Sequence, residues 1–213
     1  MRKLAVGALC ALVVACGGDN SGTPSNPSQP VSPPVGSFTI SPTGAAVAGV
    51  TIMSFNATAS DPAGSALTYT WDFGDGQKGF AGQNVTHVFD TAGVFTVVVT
   101  IRNAGGASAT SNGTVTARSL TGTWGDVDPL VRFELTQSGS SLSGRRLAGG
   151  GYVRVGSVSG TVTNPKKVEF DLFLNESDCR YSGAVSTDAN SILVSRTLNG
   201  TFCAQNSYNI TRQ

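Results

Sequence analysis

Apolar and polar residues alternate over short stretches between Ser37 and Ala117, and this alternation predicts β-strands. In LTYTWDF every second residue from Leu67 to Phe73 is apolar, so these side chains share one face of a strand. Gly, Pro, Asn and Asp separate six such stretches, a spacing that favours a β-sandwich. The six stretches are FTISP, TIMSFNATA, LTYTWDF, NVTHVFD, VFTVVVTIRN and GTVTA.

A second series of alternating stretches begins at Leu120. Short turn clusters such as QSGSS, TNPKK and STDANS join these stretches, so sequential hairpins are expected. An antiparallel up-and-down meander that closes into a small barrel removes exposed strand edges. We therefore predict an all-β chain in which a barrel-like domain over residues 118–213 follows the sandwich. The seven strand candidates are LTGTW, LVRFELTQSG, YVRVGSVSGTVTN, KKVEFDLFL, CRYSGAVST, NSILVSRTLNGTF and YNITRQ.

The chain begins MRKLAVGALCALVVAC, in which two basic residues precede an apolar run that is too short to span a bilayer. This layout is typical of an export signal. Ala15 directly before Cys16 resembles the lipobox of bacterial lipoproteins, which implies cleavage after residue 15 and lipidation of Cys16. Gly17 follows the cysteine instead of Asp, which by resemblance to lipoproteins of Gram-negative bacteria implies the outer membrane. An ordinary signal peptide over residues 1–15 is the alternative.

Residues 16–36 follow as a stretch rich in Gly, Ser, Asn and Pro with almost nothing apolar to bury. This composition predicts a disordered linker. In polyproline II form it would extend by about 3.1 Å per residue and hold the folded part roughly 60 Å from the membrane.

The charge balance excludes nucleic acid as a partner. The chain has 14 basic and 13 acidic residues, and removal of residues 1–15 leaves 12 basic and 13 acidic ones. Nucleic-acid-binding proteins need a strong basic excess. The expected partners are the membrane, through the lipid anchor, and a protein or polysaccharide ligand.

The stretch WDFGDG contains two carboxylates, Asp72 and Asp75, which either hold a metal or build a turn. Gly74 and Gly76 tolerate positive φ, and Asp side chains accept backbone hydrogen bonds in tight turns. An EF-hand loop needs acids at alternate positions, which this spacing lacks. No histidine is near in sequence to complete a transition-metal site. We therefore expect a turn.

Together with NVTHVFDTAGVFTVVVTIRNAGG, the stretch WDFGDG resembles a PKD domain, the immunoglobulin-like sandwich of polycystins and many bacterial surface proteins. The resemblance covers residues 37–117, with Val85 and Phe95 as departures from the usual Pro and Tyr. It implies structural roles for a set of motif residues, and it places His87, the only histidine, in packing instead of general-base catalysis. The motif residues are Trp71, Asp72, Gly74, Asp75, Gly76 and His87.

Some PKD domains beside collagenase catalytic domains bind calcium through an S-x-D-x-D-G turn. The corresponding stretch here is ASDPAGS, which keeps Asp61 but has Ala63 in the second acidic position. Asp61 is therefore only a weak metal candidate, and no cofactor is expected.

The cysteine count predicts a disulfide between Cys179 and Cys203, because these two remain after Cys10 leaves with the signal and Cys16 is lipidated. A catalytic thiol is not expected, because no second histidine exists to activate one.

The sequence contains little that favours an enzyme. The acid pairs Asp126 with Asp128 and Glu169 with Asp171 suit glycoside cleavage, yet residues two apart on a strand share a face by pleating alone. No G-x-S-x-G, H-E-x-x-H or phosphate-binding loop occurs.

We therefore expect a non-enzymatic cell-envelope lipoprotein that displays a PKD module and a barrel for protein or carbohydrate interaction. Phe80, in the predicted loop KGFAGQ, and Arg102, on an outward strand face, form a candidate binding surface. One alternative is a barrel that carries a small hydrophobic ligand, since GTW around Trp124 faintly resembles avidin-like and lipocalin-like barrels. Another is an accessory subunit of an extracellular hydrolase system.

Overall fold

The computed structural model describes residues 31–125, 132–147, 156–164, 166–174, 177–197 and 207–213. Every helix or strand element within these ranges is a β-strand, which confirms the predicted all-β class. Residues 31–213 form one compact unit that contains a sandwich and a closed barrel.

The sandwich packs a three-stranded sheet against a five-stranded sheet. Its strands are β1 (Val35–Ser41), β2 (Ala46–Val47), β3 (Met53–Ser60), β4 (Leu67–Asp72), β5 (Lys78–Ala81), β6 (Asn84–His87), β7 (Gly93–Asn103) and β8 (Ser108–Arg118). The small sheet has the order β1-β3-β6, and the large one has the order β2-β8-β7-β4-β5. All pairs are antiparallel except β2 with β8, which is parallel.

The predicted apolar face of β4 is the face that the structure buries. Trp71 is 1% exposed and packs edge-on against Phe38 of the opposite sheet, with ring centroids 5.1 Å apart. Phe55 packs against Trp71 and Phe73 at 5.8 and 5.1 Å. The period-two alternation therefore delivers one aromatic cluster between the two sheets.

Two strands of the sandwich lack the alternation on which the prediction rests. β2 has only two residues, and β5 has the sequence KGFA, in which all four residues are exposed. The predicted loop around Phe80 is therefore wrong, because β5 pairs with β4 at the edge of the large sheet. Backbone hydrogen bonds can hold such an edge strand without an apolar face.

The barrel has eight strands, one more than the sequence pattern predicts. They are β9 (Gly122–Gly125), β10 (Arg132–Ser138), β11 (Ser141–Leu147), β12 (Gly156–Thr163), β13 (Lys167–Leu174), β14 (Ser177–Val185), β15 (Ser191–Arg196) and β16 (Ser207–Arg212). Each pairs antiparallel with the next, and β16 pairs with β9 to close the barrel. The closed up-and-down barrel is thus confirmed.

The additional strand, β11, has the sequence SLSGRRL, whose first residue is the last residue of the predicted turn QSGSS. The hairpin turn is tighter than predicted, because Ser138 pairs directly with Ser141 and Gly139 adopts a φ of 55°. Gly144 interrupts the alternation because a Cβ there would lie 2.1 Å from the Glu134 carbonyl oxygen. Close approach of two strands therefore requires this glycine.

Aromatic residues fill the described part of the barrel interior. Phe170 and Tyr181 stack with centroids 5.4 Å apart, and Phe133 and Tyr208 extend this cluster at about 6 Å. Trp124 is fully buried and donates from Nε1 to the Leu120 carbonyl oxygen at 2.8 Å. The described interior side chains thus pack against one another.

Candidate functional site

The WDFGDG stretch forms the turn between β4 and β5. The Asp72 carboxylate accepts the Gly74 N–H at 2.9 Å, and the Asp75 carboxylate accepts the Gln77 N–H at 3.0 Å. Gly74 and Gly76 have φ values of 75° and 94°. A Cβ on Gly74 would lie 2.5 Å from the Thr96 carbonyl oxygen, so β7 leaves no space for a side chain there. Both carboxylates therefore serve consecutive Asx turns.

The fold brings His87 to Asp75, although twelve positions separate them in sequence. His87 Nε2 lies 2.7 Å from Asp75 Oδ2, and the side chains are 4% and 8% exposed. The His87 ring also stacks on Phe73 with centroids 3.9 Å apart and packs edge-on against Phe89 at 4.8 Å. The expectation that no histidine lies near the WDFGDG carboxylates was therefore wrong, because β6 runs past the turn in three dimensions.

The environment of Asp75 favours its ionised form. Burial, the largest single effect, raises the pKa of Asp75, but hydrogen bonds from His87 and Gln77 and the positive charge of His87 outweigh it. The pKa of Asp75 is therefore lowered. The pair links the β4–β5 turn to β6.

Trp71 anchors the same end of the sandwich from the core side. Its Nε1 donates to the Gly82 carbonyl oxygen at 2.9 Å, so the buried indole has its polar atom satisfied. Trp71 thus joins β4 to the link between β5 and β6, and Asp75 and His87 join the β4–β5 turn to β6.

Asp61 is held by donors of the chain itself. Its Oδ2 accepts from the Ser65 N–H and hydroxyl at 2.9 and 2.6 Å, and its Oδ1 accepts from Asn103 Nδ2 at 2.8 Å. The Ser65 hydroxyl, followed by Asn103, lowers the pKa of Asp61. Within the described ranges, no three His, Cys, Asp or Glu side chains lie close enough to hold a metal ion.

Phe80 and Arg102 do not share a surface. Phe80 pairs with Trp71 and points to the inner side of the large sheet, where its ring lies 5.2 Å from Phe73. Arg102 pairs with Thr68 and is exposed on the outer side. The sequence analysis joined Phe80 and Arg102 in one candidate surface because it placed Phe80 in a loop and did not predict the pairing of β5 with β4.

The segment between β1 and β3 enters the barrel, a contact that the sequence analysis missed. Ala45, Val47 and Val50 belong to the barrel core, whereas Ala46 and Ala48 belong to the sandwich core. The sequence AAVAGV contained a signal for this contact, because alternate residues of a short extended segment point to opposite sides. One side of the segment packs in the barrel core and the other packs in the sandwich core. Val47 is fully buried, so the segment closes one end of the barrel.

Hydrogen bonds fix this junction between the sandwich and the barrel. The Ala45 N–H donates to the Thr187 carbonyl oxygen at 2.7 Å, and Gln137 Nε2 donates to the Ala48 carbonyl oxygen at 2.8 Å. Gln137 Oε1 in turn accepts the Leu120 N–H at 2.7 Å. One glutamine on β10 therefore joins the barrel to both the inserted segment and the link that follows β8.

Two arginines border the junction. Arg212 donates to the carbonyl oxygens of Ser119 and Thr121 and lies over the Trp124 ring at 4.7 Å. Burial, followed by the charge of Arg118, lowers the pKa of Arg212. The Nε atoms of Arg118 and Arg212 are both buried without a hydrogen-bond partner.

Glu169 and Asp171, one of the two acid pairs considered for glycoside cleavage, each form an ion pair with a basic residue. Arg180 makes a two-point contact with Asp171 at 2.6 and 2.9 Å, and Glu169 pairs with Lys167 at 2.6 Å, on the barrel exterior. The Arg180 guanidinium lowers the pKa of Asp171 despite burial. Both acids of this pair are thus held as structural ion pairs, while Asp126 and Asp128 lie outside the described residues.

Cys179 is 1% exposed in the barrel core and takes part in a disulfide. Cys203 lies outside the described residues, so its pairing with Cys179 stays a prediction. Cys16 and the predicted signal peptide also lie outside them. Within the described ranges, no helix is long and apolar enough to cross a membrane.

Residues 38–117 match the family model of the PKD domain, so this part of the chain is a PKD domain. The PKD1 domain of Vibrio anguillarum Epp is similar at 26% identity and a TM-score of 0.35, covering 41% of this chain and 96% of that one. The PKD1 domain of the Vibrio cholerae metalloprotease PrtV is 27% identical with a TM-score of 0.34, covering 40% and 96%.

A structure of carbohydrate-binding modules from the β-sandwich superfamily aligns over 85% of both chains at 17% identity and a TM-score of 0.40. No curated protein matches the sequence. Within the chain that the structure describes, the PKD domain is the first folded part and the closed barrel is the second.

Proposed function

We propose that the chain is a non-enzymatic, lipid-anchored protein of the bacterial cell envelope that displays its PKD domain and barrel as one recognition unit. The ligand is a protein or polysaccharide outside the cell. The observation that carries the proposal is the burial of Val47, a PKD residue, in the barrel core. Two modules that share buried side chains present their outer surfaces in one fixed arrangement, which suits recognition of an extended ligand.

The chemistry of the described residues supports binding over catalysis. The Asp75 and His87 side chains are satisfied by each other and by the β4–β5 turn. Asp171 is occupied by Arg180, and the described barrel interior is packed with aromatic side chains. The packed interior does not favour a carrier of a small hydrophobic ligand, and recognition therefore falls to exterior surfaces.

The anchor is tested by Cys16→Ser in the native host, with Cys10→Ser as the matched control. Cys16→Ser is expected to abolish processing and lipid attachment, so that the protein no longer partitions with outer-membrane lipoproteins. Cys10→Ser is expected to be processed normally, because Leu9 before it is not small. A Cys16→Ser protein that is still acylated would contradict the anchor.

The recognition role is tested with the purified mature protein in detergent, by measuring binding to the host's extracellular polysaccharide fraction and to its membrane extract. Saturable binding to one fraction, with no release of reducing sugars or peptides, is the expected result. Arg102→Ala in the same assay tests the outer face of β7. Absence of binding to both fractions, or hydrolysis by the pure protein, would overturn the proposal.

A further inference from the structure

A groove runs along the junction between the PKD domain and the barrel, and Arg118 stands in the middle of it. On one side of Arg118 is a cavity of about 400 Å³, bordered by Thr114, Thr116 and Thr187. On the other side is a cavity of about 390 Å³, bordered by Val94, Thr116 and Thr121. Arg118 and Thr116 line both cavities, so one ligand that spans the groove would contact both.

Among the described residues, no carboxylate pairs with the guanidinium of Arg118. Its Nε is buried without a hydrogen-bond partner, and none of the described carboxylates forms an ion pair with it. A buried donor without a partner costs free energy that a ligand acceptor would recover. Among the described residues, Arg145, Lys167 and Arg180 each pair with a carboxylate, whereas Arg118 does not.

Arg212 adds a second positive charge at the groove. Its guanidinium is fixed by the carbonyl oxygens of Ser119 and Thr121 and by the Trp124 ring, yet its Nε is also buried without a partner. It lines the second cavity together with Arg118. Two close guanidinium groups repel each other, and an anion placed between them relieves that repulsion.

The rest of the lining restricts the anion. Asp188 borders the first cavity and repels an anion there, so the anionic group of a ligand is expected in the second cavity, which Arg118 and Arg212 line. Threonine hydroxyls suit a ligand with many hydroxyls, and Val94, which is 71% exposed at the second cavity, suits the C–H face of a sugar ring. A guanidinium fork matches the two oxygens of a carboxylate.

We propose that this groove binds a carboxylate-bearing sugar residue of an acidic polysaccharide, with Arg118 donating to the carboxylate. Arg212 contributes charge and the threonines contribute hydrogen bonds to ring hydroxyls. The inference rests on the proposed function, because it names the ligand class and the site of the same recognition unit.

The test is isothermal titration calorimetry of the full mature protein with a galacturonic acid tetramer, at low salt and again at high salt. The fully methyl-esterified tetramer is the matched neutral ligand. Saturable binding of the acid form, weakened by salt and at least about tenfold weaker for the ester, is expected, because loss of one charge-assisted hydrogen bond has this size.

Two variants assign the binding to the groove. Arg118→Gln is expected to weaken binding of the tetramer about tenfold or more. Val94→Glu, at an exposed position of the same groove, is expected to weaken it through charge repulsion without disturbing the core. Arg132→Gln removes an equal charge from an exposed position of β10 and is expected to bind as the wild type does. Val94→Glu keeps the test decisive if Arg118→Gln unfolds.

Equal affinity for the acid and its ester, no binding of the tetramer, or unchanged binding by both groove variants would each overturn the inference. Competition of the tetramer by inorganic phosphate at lower concentration than by acetate would also overturn it, in favour of a phosphate site. If Arg118→Gln and Val94→Glu still bind the host's own polysaccharide or membrane fraction, only this inference fails and the proposed function stands.

Discussion

His87 Nε2 lies 2.7 Å from Asp75 Oδ2, and the ring of His87 stacks on Phe73 at 3.9 Å. One side chain of β6 thereby holds both the carboxylate of the β4–β5 turn and the last aromatic residue before it. Because the pair is almost fully buried, its loss leaves a polar group without a partner, and this makes it the most sensitive contact at this end of the sandwich.

Asp75→Asn is expected to destabilise the protein by about 1–3 kcal/mol near neutral pH, because it removes a charged acceptor from His87. The folded-state pKa of Asp75 lies below its ordinary value of 3.8, so its contribution is complete above that value and is lost as the pH falls through the folded-state pKa. Denaturant unfolding at several pH values should show wild type and variant converging in acid. Asp72→Asn keeps an acceptor for Gly74 and serves as the control; a difference that stays undiminished as the pH falls well below 3.8 would contradict the assignment.

Val47→Ala is expected to cost about 1–3 kcal/mol of barrel stability, although Val47 lies in the PKD domain. The chain has two tryptophans, Trp71 in the PKD domain and Trp124 in the barrel, so Trp71→Phe and Trp124→Phe each leave one fluorescent reporter. We expect both reporters to give the same unfolding midpoint and both midpoints to fall with Val47→Ala. Separate midpoints, with only the PKD reporter affected, would show that the junction is weak.

Gly44→Ala is expected to destabilise the junction more than Gly76→Ala does. Both glycines have positive φ, 88° and 94°, so alanine is strained by about 1–2 kcal/mol at either position. Only at Gly44 would the new Cβ also lie 2.4 Å from the Thr187 carbonyl oxygen, whereas nothing lies within 4 Å at Gly76. Thermal unfolding of the two variants measures the difference. Equal losses of thermal stability in the two variants would mean that the junction accommodates the Cβ at residue 44 at no cost in free energy.

The Cys179–Cys203 bridge is expected to leave no free thiol in the folded mature protein. Intact mass and thiol labelling without reductant should detect neither cysteine, and labelling should appear after reduction and unfolding. Closing a loop of about 25 residues contributes roughly 3 kcal/mol, so reduction should lower the unfolding midpoint. Two thiols that label in the folded oxidised protein would refute the pairing.

The sandwich strands could be predicted from the sequence where one face of the strand is buried between the sheets and the other face is exposed to solvent. β4 and β7 show this, because their apolar residues lie between the sheets and their threonines lie outside. β5 and β11 were not found, since Gly79, Gly144 and Arg145 break the alternation and pairing there depends on neighbouring backbones. A single sequence carries little signal for strands of that kind.

The site residues also divide into those that the sequence alone predicts and those that depend on strand pairing. The turn chemistry of Asp72 and Gly74 is local, and the sequence alone predicts it. The contacts of Asp75 with His87 and of Arg118 with the groove depend on which strands become neighbours, and no spacing rule contains that information. Phe80 was assigned to a loop for the same reason, because its place in a strand is set by pairing with Trp71.

The inserted segment with Val47 at its centre has a consequence for how such a protein can be recombined. A genetic exchange at residue 117 or 118 that replaced the PKD domain by another would leave one end of the barrel open. The removed domain would expose the apolar side chains that had been buried in the barrel core. We therefore expect the PKD domain and the barrel to be exchanged together, or the incoming domain to carry a matching inserted segment. A search for relatives of the barrel should accordingly look for this segment ahead of it, at the same position between the first and third strands of the preceding sandwich.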